Sequence, residues 1–137
     1  MPEADRPDLR SFADRDALAG AVAREVETAL RRGLDARGRA LLAVSGGSTP
    51  APAYGRLSTA PIAWDKVDVV LVDERWVEPG ESGSNQRLVE TALLQNNAAA
   101  ARLTGLKTPA ADPFEAIAEL ESRLAALSWP ADAAVLG

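Results

Sequence analysis

Ala40-Leu41-Leu42-Ala43-Val44-Ser45-Gly46-Gly47-Ser48-Thr49-Pro50 is the stretch that decides the fold: an apolar run passes without a break into a Gly/Ser turn and then a proline. Five apolar residues with no polar alternation suit a strand buried on both faces, as in a parallel sheet. The turn suits entry into a helix, with Pro50 at its first position and Thr49 as its cap. Upstream, residues 14–32 place Leu18, Val22, Val26 and Leu30 four apart. With Asp14 as N-cap and Gly33 as stop, this spacing predicts an amphipathic helix.

Downstream, a second apolar run, residues 67–72, ends abruptly in Asp73-Glu74-Arg75 and reads as another buried strand. Residues 78–83, with one Pro, two Gly and a Ser, must form a loop, after which Ser84 or Asn85 caps a helix reaching about Leu94. Residues 102–106 suit a short third strand. Asp112 as cap, Pro113 at the first position and Glu115 completing a capping box open a helix whose apolar face is Phe114, Ile117, Leu120, Leu124 and Leu127. After Trp129-Pro130, residues 133–136 read as one more buried strand. Strands alternating with helices mean crossover connections, hence an α/β fold with a doubly wound, mostly parallel sheet. Residues 1–137 are expected to form a single α/β domain. Because Val135-Leu136-Gly137 reads as the middle of a core strand, the further expectation is the N-terminal portion of a longer domain, with an unfinished sheet edge that favours self-association.

Composition narrows the chemistry. A net charge of -5 gives no broad basic surface, so nucleic acid is not an expected partner, although placed arginines and backbone amides can still hold a small anion. No apolar run approaches bilayer-spanning length, so no membrane partner is expected. The opening Met1-Pro2-Glu3-Ala4-Asp5-Arg6 does not read as a secretory signal, which makes a cytoplasmic location the expectation. The chain has no Cys and no His. Any chemistry within it must therefore use carboxylates, hydroxyls, Lys or Arg, with no thiol nucleophile, Cys-ligated metal or imidazole base.

In a doubly wound sheet ligands bind outside the carboxyl ends of the strands, and two polar clusters fall there: residues 45–49 and 73–75. Gly46 and Gly47 let backbone approach a ligand, while the amides and hydroxyls of Ser48 and Thr49 suit a phosphate. Arg75 offers a planar fork for phosphate or carboxylate, and Asp73 an acceptor for sugar hydroxyls or a proton. The same glycines serve equally to turn the chain, and residues 73–75 read equally as a structural ion-pair cluster. Trp64, Trp76 and Trp129 are expected to pack, and Arg31, Arg32, Arg37 and Arg39 to form a solvated face.

Taken in order, Ser45-Gly46-Gly47-Ser48-Thr49-Pro50, Tyr54, Leu57, Trp64, Val72-Asp73-Glu74-Arg75-Trp76-Val77 and Ser84-Asn85 resemble the 6-phosphogluconolactonase family. The resemblance runs from about residue 44 to 106, and more weakly beyond. It implies a Rossmann-like fold shared with the sugar-phosphate isomerases and deaminases, and hydrolysis of 6-phospho-D-glucono-1,5-lactone to 6-phosphogluconate without metal or cofactor. By position it implies that Gly46, Gly47, Ser48 and Thr49 form the phosphate-side loop, that Arg75 binds the ligand, and that Asp73 and Asn85 lie close to the sugar, Asp73 in a supporting catalytic role. The family continues into a Gly-Asp-Gly-His-type segment whose histidine activates water, so the main base is expected outside these residues and this chain alone is expected to be inactive. If it is active, Asp73 or Glu74 becomes the base. Two other readings compete. A hexosamine-6-phosphate deaminase shares the Gly-Ser-Thr-Pro turn but usually has an aromatic residue after Asp-Glu, and a non-catalytic sugar-phosphate-binding module accounts for the missing histidine.

Overall fold

The computed structural model describes residues 7–137; the stretch read above for a secretory signal, Met1 to Arg6, lies outside them. Helix α1 spans Arg15–Arg37 and strand β1 Ala40–Val44, followed by α2 over Ala51–Leu57 and β2 over Val67–Leu71. Then come α3 over Asn85–Ala92, β3 over Arg102–Thr104, α4 over Ile117–Ala125 and β4 over Ala133–Val135. The four strands form one sheet in the order β3-β2-β1-β4, and every neighbouring pair is parallel. β1 and β2 are buried along their whole length, β1 as an unbroken apolar run and β2 with Asp68 as its one charged residue, and pair in register from Ala40 with Val67 to Val44 with Leu71.

The two faces of the sheet are unequal. On one, Leu42, Val44, Val69 and Leu71 pack with Val26 and Leu30 of α1, Tyr54 and Leu57 of α2, and Val89 of α3. On the other, the alternate residues Leu41, Ala43 and Val70 meet only the partly buried Leu124, Leu127 and Ala131. Helices thus lie on both faces, with most of the apolar burial on the first.

Several local readings change. Asp14 caps α1 through Ala17 N at 2.7 Å, but the helix runs past Gly33 to Gly38, whose φ of +74° is the left-handed conformation of a helix stop. Gly33 instead lies inside the helix, where a side chain would collide with Asp132. Leu18 is partly exposed, and alanines and glycines supply much of the buried face of α1. α2 begins one residue later than expected: Pro50 is its cap residue and Thr49 makes no capping bond. Asp112 accepts from Glu115 N at 3.0 Å, but Phe114–Ala116 forms a 3-10 turn before α4 starts. The apolar face assigned to that helix is only partly covered, with Phe114 81% and Ile117 51% exposed. β4 is an edge strand among the described residues, with Val135 buried and Leu136 exposed, because it pairs only with β1. Arg37 and Arg39 are not simply solvated: Arg37 pairs with Asp132 and Arg39 with Asp68 at 3.1 Å, tying the end of α1 to the sheet. No helix of the described residues is long and apolar enough to cross a membrane.

Candidate active site

The chain leaves β1 through β2 to β3 on one side, then returns across the other face to place β4 on the opposite side of β1. That reversal keeps the loops after β1 and β4 from covering the sheet end between them, and such a switch point opens a crevice at the carboxyl ends of the strands. Here it is a cavity of about 270 Å³ lined by Ser45, Gly46, Gly47, Thr49, Pro50, Val72, Asp73, Arg75, Asn85, Leu136 and Gly137.

The floor is fixed by hydrogen bonds from three elements. Ser45 N donates to Val135 O at 3.0 Å, and Gly137 N donates to Ser45 Oγ at 2.9 Å, so β4 ends against the loop after β1. From α2, the buried Tyr54 hydroxyl donates to Ser45 O at 2.5 Å. Burial pushes the Tyr54 phenol up to about 12, which keeps it a neutral donor across the physiological range. Gly46 lies so close to the Asn85 side-chain amide that a Cβ there would overlap it, and Gly47 has a φ of +98°. The backbone N–H groups of Gly47, Ser48 and Thr49 donate no hydrogen bond to another described residue, the arrangement in which a turn can receive an anion.

The second wall is residues 73–75 together with the start of α3. Asp73 is exposed, and Asn85 Nδ2 approaches its backbone O at 3.3 Å and its Oδ1 at 3.4 Å. Arg75 is exposed; it reaches Gly83 O at 3.5 Å and has no carboxylate partner among the described residues. Glu74, in contrast, does not line the cavity. Its Oε1 accepts from Arg75 N at 2.8 Å and Asn85 N at 2.7 Å, and its Oε2 from Gln86 N at 3.0 Å. A carboxylate at the start of a helix satisfies otherwise unpaired amides and is favoured by the helix dipole.

The structure therefore brings Gly46, Gly47, Thr49, Asp73, Arg75 and Asn85 to one crevice. Ser48 does not line it; it borders a neighbouring, more apolar cavity with Arg15, Leu18 and Pro52. Sequence reasoning missed the hydrogen bonds made by Tyr54, Ser45 and Glu74, most of whose partners are brought near by the fold and not by local pattern. The tryptophans make packing and backbone contacts: Trp64 is buried, Trp76 Nε1 donates to Ala110 O at 3.0 Å, and Trp129 Nε1 to Leu124 O at 2.7 Å. Among the described residues no three His, Cys, Asp or Glu side chains group as metal ligands.

Residues 13–137 match the family model described as glucosamine-6-phosphate isomerases/6-phosphogluconolactonase. The chain is 48% identical to a 6-phosphogluconolactonase of Mesorhizobium japonicum, over 93% of this chain and 53% of that protein. It is 46% identical to one of Rhizobium meliloti, over 94% and 56% respectively. The crystal structure of a 6-phosphogluconolactonase from Shewanella baltica superposes with a TM-score of 0.94 at 38% identity, covering 97% of this chain and 57% of that one. The chain thus spans about half the length of the relatives it matches.

Proposed function

Because the chain belongs to the glucosamine-6-phosphate isomerase/6-phosphogluconolactonase family, we propose that the protein containing it hydrolyses 6-phospho-D-glucono-1,5-lactone to 6-phospho-D-gluconate. The observation that carries this reading is the shared crevice, where Arg75 and a glycine turn line the same space and, among the described residues, neither the guanidinium has a carboxylate partner nor the turn amides an acceptor. Such a pairing suits the phosphate of a small sugar phosphate, the partner we propose. Asp73 and Asn85 then stand beside the sugar.

In this mechanism Arg75 and the amides of Gly47 and Thr49 anchor the phosphate, and binding energy remote from the reaction holds the lactone carbonyl next to the attacking water. The exposed Asp73 carboxylate orients or polarises the group that takes the water's proton. That group is proposed to be a histidine outside these 137 residues, which contain none. The step forms a bond between water oxygen and the lactone carbonyl carbon, breaks the ring C–O bond and leaves a carboxylate and a free hydroxyl. A cytoplasmic location is part of the same proposal.

The test is hydrolysis of freshly generated lactone, followed by NADPH formation with added 6-phosphogluconate dehydrogenase and corrected for spontaneous opening. The complete protein should exceed background, whereas residues 1–137 alone should stay at background and still bind 6-phosphogluconate. Turnover by residues 1–137 would move the base into this chain. Ammonia release from glucosamine 6-phosphate by the complete protein, without lactone hydrolysis, would replace the reading with a deaminase.

A further inference from the structure

We infer that Glu74 is a positioning residue of the crevice: its carboxylate sets the backbone of Arg75 against the start of α3, so that Arg75 and Asn85 face the ligand together. The inference rests on the function proposed above for what the ligand is, and on geometry for the rest.

Glu74 is the one acidic residue between two that line the cavity, and it does not line the cavity itself. Its Oε1 is shared by the amides of Arg75 and Asn85, residues ten apart in sequence that supply the guanidinium and the carboxamide of the second wall. Oε2 takes Gln86 N, and Ser84 Oγ lies 3.5 Å from it. Ser84 Oγ in turn accepts from Arg87 N at 3.1 Å, and Leu88 N donates to Ser84 O at 3.3 Å. The first four amides of α3 are all satisfied from within the protein, so none is left to hold a ligand's phosphate. An anion entering the crevice is directed to the glycine turn and to the Arg75 side chain instead.

This arrangement gives Glu74 a different part from Asp73 despite their adjacency. A carboxylate that does not line the cavity and whose two oxygens already accept three backbone N–H bonds is placed to hold those amides, not to meet the reacting water. Loss of its charge should therefore loosen the ligand-facing groups without removing a base. Groups that must be held in place for binding show their loss in KM, and groups that act in the chemical step show it in kcat.

The experiment compares wild type, Glu74→Gln and Glu74→Ala in the complete protein by lactone kinetics, by calorimetric titration with 6-phosphogluconate, and by amide exchange at Asn85 and Gln86. Glu74→Ala should raise KM and the Kd for 6-phosphogluconate about tenfold, with kcat within about threefold of wild type and an unaltered pH profile. Glu74→Gln keeps one acceptor oxygen for Arg75 N and Asn85 N but presents an NH2 group to Gln86 N–H. It should recover most of the affinity while Gln86 exchanges faster. A kcat loss of about a hundredfold in Glu74→Gln at unchanged KM would overturn the inference and make Glu74 a group of the chemical step. Unchanged KM and Kd in Glu74→Ala would also overturn it. Should wild type neither hydrolyse the lactone nor bind 6-phosphogluconate, the proposed function fails by itself. Exchange then decides the positioning: faster exchange at Asn85 and Gln86 in Glu74→Ala sustains it, and unchanged exchange overturns it.

Discussion

Two strand-to-helix connections border the crevice, and they treat their backbone amides in opposite ways. The one after β1 is short and glycine-based, and the N–H groups of Gly47, Ser48 and Thr49 meet no acceptor among the described residues. The one after β2 is long, and it returns its own Glu74 carboxylate and Ser84 hydroxyl to the start of α3. An open turn retains donors for an incoming anion, whereas a closed one has exchanged that capacity for a fixed geometry. Proximity to a crevice is thus insufficient to mark a helix start as a binding element; what matters is whether the protein has already filled it.

The contrast is broken most forcefully at Arg75, the side chain of the closed connection that nonetheless faces the ligand. Arg75→Ala should weaken 6-phosphogluconate binding and raise KM by about a hundredfold, as expected for loss of a charge-assisted bond worth ~3 kcal/mol. Its melting temperature should hold, since the guanidinium has no ion-pair partner among the described residues. An unchanged KM would remove Arg75 from the site.

A second test loosens the floor of the open turn. Tyr54 is the only tyrosine in the chain, so phenolate absorbance reports it alone. Its folded pKa of about 12 lies above the ordinary value of 10.0, so the folded state holds the proton more tightly than the unfolded state. The resulting stability is present in full below pH 10 and is lost as pH rises through 12, by an amount on the order of 2 kcal/mol. The absorbance midpoint should fall by about two units on adding denaturant, in line with that shift. A native midpoint near 10 would mean that the Tyr54 hydroxyl is not buried beneath the loop.

The smallest expected effect sharpens the comparison from the closed side. Ser84→Ala removes the cap bond to Arg87 N and should cost about 1 kcal/mol in denaturant unfolding. Affinity for 6-phosphogluconate should stay within about twofold, because Ser84 is buried behind the crevice.

The strand cores were legible because β1 is uniformly apolar and β2 carries Asp68 as its one polar residue, a pattern with few structural alternatives. The glycines were legible only in part. Gly33 was read as the stop of α1, yet the helix runs on to Gly38, and the space beside Gly33 is taken by Asp132, almost a hundred residues away. The apolar spacing around α4 was read as a covered face, yet the described residues place little against Phe114 and Ile117. At the crevice, the order of residues pointed to two strand ends meeting, and the sheet order brings them together. It did not separate Ser48, which borders only the cavity beside α1, from Thr49, which lines both that cavity and the crevice. Nor did it distinguish Glu74 from Asp73, since adjacent carboxylates look alike until their acceptor oxygens are traced.

The contacts that seat β4 beside β1 are unlike the rest of the sheet in one further respect. Leu41 N donates to Asp132 Oδ2 across 91 residues, and Gly137 N donates to Ser45 Oγ across 92. β1, β2 and β3 follow one another through shorter connections, so their pairing closes smaller loops and loses less chain entropy. The crevice floor is consequently assembled from the most distant partners in the sheet, and its completion is a late event by topology, after the remainder of the sheet already has its neighbours.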